Sequence, residues 1–341
     1  MSETKRPLRV AIIGTARRSD YLYGPILAAL PEEVALVSVW GRAAESVEHG
    51  LHVLLETPIA HKLSEADAII AAAQQRGLKI EVAEQFHRRP LEQIKLRLLA
   101  SGLFGRVYSA FNDFAGHGYH GVSVMRSYLG FDARPVQVVG AVQKYGLAAH
   151  WSRLANTRGP RTETQEHGIV TFDDGRLGVF HWTDVAYDSA LRWWRSSRFL
   201  AEKGMGITVG VGLDVHEWLT LLAPGGEAPR FVTLERRWER NDGGALVAMV
   251  AHTGDSDQPI VSWENPFRPT RKGHGVQWHD DEIGVAGCLL SLVDAVRHQT
   301  EPTYGAAQAR LDQEIILAIR QSALEGGRPV SLPLDPAAQT I

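Results

Sequence analysis

The groups in this 341-residue chain best suited to moving protons and holding polar ligands are a few histidines, carboxylates and guanidinium groups. His117 and His120 flank Gly118-Tyr119, just ahead of a helix read over Val122 to Leu129. Two imidazoles at that spacing can share a metal ion, or one can act as a base while the other orients it. Local sequence fixes no third ligand, so no metal site is assigned, and the blander arrangement is one catalytic or capping histidine beside a solvated one. His87 adds a further imidazole ahead of the helix that starts at Pro90. A second group surrounds the hairpin turn Asp173-Asp174-Gly175-Arg176: His167, His181 and Trp182, followed by Tyr187, Arg192, Trp193, Trp194, Arg195 and Arg198. Rings interleaved with guanidinium groups make either a platform for a sugar or planar acid, with His181, Trp182, Tyr187 and Arg192 as its walls, or a subunit interface. A four-residue loop pairs Phe172 with Leu177, sets His167 opposite Trp182 and His181 opposite Gly168, and sends the two histidines to opposite faces. On that register they cannot bind one metal together.

The elements that must position these groups change character along the chain. Arg9 to Ile13 is a short apolar strand ending at Gly14, followed by a helix over Tyr21 to Leu30. Val34 to Trp40 and His52 to Glu56 read as further buried strands, and Ser64 to Arg76 as a helix with Ser64 as N-cap and Gly77 as its stop. Ile80 to Ala83 supplies another strand, and a helix runs from Pro90 to Ser101. From Arg106 onward short strands dominate, closed by helices over Asp281 to His298 and Ala306 to Leu324. The fold class is therefore α/β: a parallel sheet over residues 1–105, then an α+β domain with a large, mostly antiparallel open sheet over 106–341.

Five segments resemble the Gfo/Idh/MocA oxidoreductase family: Val10 to Gly14, His52 to Pro58, Glu84 to Pro90, Ala100 to Val107 and His120 to Gly130. The resemblance implies a truncated Rossmann-like N-terminal sheet in a domain that binds NAD or NADP, hydride exchange with a sugar, inositol or related polyol, and an open C-terminal sheet that builds oligomers. It places Gly14, Arg17, Arg42, Glu56 and Thr57 on the cofactor side and makes His120 the proton-transfer histidine. The departures are specific. Gly14-Thr15-Ala16-Arg17-Arg18-Ser19 keeps one glycine of the dinucleotide fingerprint. Only Gly41 to Leu51 stand where the family has two further strand-helix units. Thr57 replaces the motif lysine, and Gly116 stands at the motif acid. A neutral hydroxyl cannot serve as the cationic acid.

Composition narrows the partners. Basic and acidic side chains number 36 and 39, so no strong field recruits nucleic acid or an anionic membrane. No apolar run reaches about 18 residues. The one cysteine, Cys288, sits in an apolar run and reads as a buried thiol, consistent with a cytoplasmic protein. The expected partners are a small-molecule substrate and further copies of the chain. Three activities stay open: an NAD(P)-linked oxidoreductase on a small polar substrate; a lyase, isomerase or hydrolase on the same scaffold, using His120 with His117, His87 or a metal; and a non-catalytic, sugar-binding subunit.

Overall fold

The computed structural model describes residues 6–13, 18–40, 50–114, 118–192, 194–211, 214–223, 225–239, 245–267 and 278–336. The first part alternates strands and helices: β1 (Leu8–Ile13), α1 (Gly24–Ala29) after a helical turn over Ser19–Tyr23, β2 (Val34–Trp40), β3 (Val53–Leu55), α2 (Leu63–Gln75), β4 (Ile80–Val82) and α3 (Pro90–Ala100). Then follow β5 (Val107–Phe114), α4 (Gly118–Leu129), β6 (Pro135–Ser152), β7 (Thr157–Phe172), β8 (Leu177–Thr183), α5 (Asp184–Asp188), β9 (Trp194–Ala201), β10 (Gly204–Val211), β11 (Asp214–Leu222), β12 (Pro229–Trp238), β13 (Leu246–His252) and β14 (Ile260–Glu264). The chain closes with α6 (Asp280–His298), α7 (Ala306–Leu324) and the short β15 (Val330–Ser331).

Among the described residues the parallel part consists of two strand pairs, β1 with β2 and β3 with β4. Eleven strands form the large sheet in the order β14-β13-β12-β11-β10-β9-β5-β8-β7-β6-β15, antiparallel except for β5 beside β8. By internal contacts the chain divides into one compact unit of residues 1–93, 236–249 and 263–310, and a second of 94–235, 250–262 and 311–341. Helix α2 starts one residue earlier than Ser64 suggests, with Lys62 at the N-cap, and is stopped at Gly77, whose φ of 64° favours glycine.

The second unit is organised by alternation across the sheet. One transverse row reads Gly140, Gly168, Phe180, Asn112, Ser197, Thr208 and Glu217 on neighbouring strands. This row faces the helices. A Cβ on Gly140 would fall 2.1 Å from the Ile319 carbonyl oxygen, and one on Gly168 2.4 Å from the Ile319 side chain, so both glycines are where α7 meets the sheet. Polar members of the row are met by buried polar groups. Lys95, 1% exposed, donates to Thr208 Oγ1 at 2.5 Å and Tyr128 Oη at 2.7 Å, and its Nζ lies 3.9 Å from Glu217 Oε2. Arg126 of α4 and Asp312 of α7 are both fully buried and pair at 2.5 Å, with the Phe131 carbonyl accepting a second guanidinium hydrogen. Burying such a pair is tolerable only because each charge keeps its partner.

The adjacent row, offset by a single residue, faces away from the helices: Ala141, His167, His181, Asp113, Ser196, Val209 and His216. This corrects the predicted hairpin register. Gly175 adopts φ 82°, the turn is the three residues Asp173 to Gly175, and Phe172 N–H donates to the Arg176 carbonyl at 3.0 Å. One residue fewer in the loop slides the pairing by one, so His167 stands opposite His181 rather than Trp182.

Candidate functional site

In the first unit polar residues gather at the carboxyl ends of the short parallel strands, the edge at which open α/β sheets bind ligands. Glu56 directly follows β3. Its Oε1 accepts hydrogen bonds from Arg18 Nε at 2.8 Å and Tyr23 Oη at 2.7 Å. Asp281, in the first turn of α6, accepts from Arg89 at 3.0 Å and Gln85 Nε2 at 3.3 Å, and lies 4.0 Å from Arg18. Burial opposes ionisation of Asp281, but Arg89, Arg18 and the Gln85 hydrogen bond outweigh it and hold the carboxyl below its usual range. Burial also works against the Arg18 charge, and Glu56, Tyr23 and Asp281 more than restore it. Burial first, then Glu56, keeps the Tyr23 phenol protonated well above its ordinary range. Arg18 Nη2 is a buried polar atom with no hydrogen-bond partner among the described residues.

Behind this edge lies a wholly buried carboxyl. Glu81 accepts from Arg88 at 2.6 Å and Ser291 Oγ at 2.9 Å, and burial pushes its pKa up to about 7 against the pull of Arg88. Cys288 is buried beside it, and burial raises its thiol pKa, which suits an inert core residue. His87 is 5% exposed in a helical turn over Phe86–Arg88, packed against the Tyr304 ring at 5.4 Å. It is a packed histidine of the first unit, whereas His120 belongs to the second.

His120 lies in the first turn of α4, 3% exposed, with the Tyr119 ring edge-on at 4.6 Å. Helix α4 packs on β5 and β8. A Cβ on Gly118 would touch the Phe180 ring at 3.4 Å, so the start of α4 lies on the face that carries Phe180, Trp182, Asn112 and Arg195. Trp182 is half-buried opposite Glu166, which accepts from Arg320 of α7 at 2.9 Å. Arg192 sits in the turn before β9, its backbone N–H on the Ser189 carbonyl. Alternation therefore gives Trp182 to the His120 side of the sheet and His181 to the other side, where Asp113 Oδ1 lies 2.8 Å from its Nδ1. His117, Gly14, Arg17 and Arg42 lie outside the described residues, as does the side chain of Tyr187. Among the described residues no group of three or more His, Cys, Asp or Glu is placed to hold a metal ion, and no helix is long and apolar enough to cross a membrane.

Sequence reasoning did not select Asp281, Tyr23, Asp113 or Asn112. Asp281 carried one usable signal, an acid in the first turn of a predicted helix; Asp113 and Asn112 become visible only once strands are paired, and Tyr23 only once its helical turn is set beside Glu56.

No protein-family model matches the chain, and no curated protein matches it. Solved structures do. An NAD binding oxidoreductase from Klebsiella pneumoniae superposes with a TM-score of 0.65 at 15% identity, over 97% of this chain and 100% of that one. The aldose-aldose oxidoreductase from Caulobacter crescentus, complexed with glycerol, gives 0.61 at 15% identity, over 96% and 100%. An inositol dehydrogenase homolog from Azotobacter vinelandii, complexed with NADH and myo-inositol, gives 0.58 at 13% identity, over 96% and 98%. The chain has the fold of these oxidoreductases. Within that fold the short strand pairs correspond to a Rossmann-like part and the eleven strands to its C-terminal sheet.

Proposed function

We propose that the chain is an oxidoreductase acting on a small sugar- or polyol-like substrate, with His120 as the group that takes and returns the hydroxyl proton. The observation that carries this reading is the placement of His120: nearly buried in the first turn of α4, on the sheet face that also presents Trp182 and Arg195. An imidazole sheltered from bulk water suits proton transfer at a carbinol carbon. Trp182 offers an apolar surface for a sugar ring. Thr57 stands where the family pattern has lysine, so the proton falls to the histidine.

A nicotinamide nucleotide would accept or supply the hydride. Two described residues suit it. The orphaned Nη2 of Arg18, at the turn after β1, matches a phosphate oxygen, and the Glu56 carboxylate can accept hydrogen bonds from ribose hydroxyls. Arg18 is shared with Glu56 and Asp281, so an anion must compete with two carboxylates for it. Further copies of the chain would pack on the outer sheet face, where Ile169, Trp218 and Phe231 are 48%, 53% and 67% exposed.

The test is steady-state oxidation of a panel of aldoses, inositols and anhydrosugars with NAD or NADP. Turnover on at least one member, reduced by about 100-fold or more in His120→Ala, is the expected outcome. Equal turnover in the variant removes His120 from the reaction.

A further inference from the structure

The outer sheet row holds a second cluster of chemical groups, distant in role from the proton-transfer histidine. His167 and His181 are cross-strand partners, their rings stacked with centroids 4.5 Å apart and planes 18° from parallel. Asp113, on the neighbouring strand, takes the Nδ1 side of His181 at 2.8 Å. A carboxylate only accepts, so Nδ1 carries a proton, and in the neutral ring Nε2 is the nitrogen with the lone pair. That Nε2 is buried and has no hydrogen-bond partner among the described residues. Leaving such an acceptor unmatched is costly unless something else meets it.

We infer that His167 and His181 form a binding site for a late divalent transition-metal ion such as Zn²⁺, Ni²⁺ or Cu²⁺, with Asp113 fixing the tautomer of His181. Three features agree. Metal-bound imidazoles typically hand their second ring nitrogen to a carboxylate, the arrangement Asp113 makes with His181. Antiparallel partners on one face hold the two rings 4.5 Å apart, so a change of side-chain rotamer can aim two ring nitrogens at a common ion. Glu163, farther along β7 on the same face, accepts from Thr183 Oγ1 at 2.6 Å and Gln165 Nε2 at 2.7 Å and adds negative charge to that face. Two protein nitrogens leave the remaining coordination positions to water, consistent with the lack of a third protein ligand among the described residues.

Equilibrium dialysis of the whole protein against Zn²⁺ and Ni²⁺, with electron paramagnetic resonance of the Cu²⁺ form, tests this. The expected result is one ion per chain, lost in the His167→Ala/His181→Ala double variant and weakened about 10- to 100-fold in Asp113→Asn. His216→Ala and His252→Ala should leave it unchanged. Nitrogen hyperfine coupling from two imidazoles is expected in the wild-type Cu²⁺ spectrum, a readout that does not depend on any variant folding. Coupling to fewer than two nitrogens, or unaltered stoichiometry in a folded double variant, overturns the assignment.

Discussion

The first unit meets its guanidinium groups with carboxylates at strand ends, whereas the second sets histidines and other chemically able groups on the two sides of one sheet. At the strand ends Arg18, Arg89, Glu56 and Asp281 balance one another, so any anionic ligand has to compete with carboxylates already in place. On the sheet, Trp182, on the side of α4 and His120, and His181 with Asp113 are separated by alternation. The contrast teaches that the side chains along the two faces of the second unit's sheet are placed by register, in addition to its buried ion pairs, whereas those at the first unit's strand ends are held mainly by ion pairing.

The contrast breaks most sharply at His120. His120→Ala should lower turnover by about 10²- to 10⁴-fold while melting temperature stays near wild type; comparing kcat with thermal unfolding checks it. Next comes the buried pair that ties α4 to α7. Arg126→Met leaves Asp312 buried without its cation and should cost about 3–5 kcal/mol, read by urea unfolding of the two chains. A third effect belongs to the first unit. Glu81 has a folded pKa of about 7, above the ordinary carboxyl value of about 4.3, so the folded state favours the protonated form. Its contribution is complete below the ordinary carboxyl range and is lost as pH rises through about 7, a change of up to about 3 kcal/mol. Stability measured from pH 5 to 8 should fall in the wild type; in Glu81→Gln this slope should vanish, although unpairing Arg88 lowers the whole curve. The smallest effect is on assembly: Phe231→Glu should shift the protein to a smaller species in sedimentation without altering the single-chain fold.

Much of the architecture was legible in the sequence, because β1 to β4, α2, α3, α6 and α7 follow hydrophobic runs and helix punctuation. Strands β10 and β11 were not. Gly204, Gly206 and Gly210 occupy the packed face of β10, where a Cβ on Gly206 would meet Phe199 and Leu219, so the apolar alternation that marks a strand is missing. His120 was legible through its matching segment, and Glu56 through the strand before it. The Asp113–His181–His167 row was not, since it depends on whether a turn holds three residues or four. Arg18's partnership with Asp281 joins residues 263 positions apart, which no local pattern reveals.

The central claim is a sugar-type oxidoreductase that uses a nicotinamide nucleotide despite a shortened nucleotide-binding part. Titration of the purified protein with NADH and NADPH, followed by melting temperature and nicotinamide fluorescence, tests it most directly. Saturable stabilisation by one of the two, about 2.7 kcal/mol at 100-fold excess over Kd and weakened in Arg18→Ala, is the predicted result. An unchanged melting temperature and fluorescence with millimolar amounts of both nucleotides would contradict it.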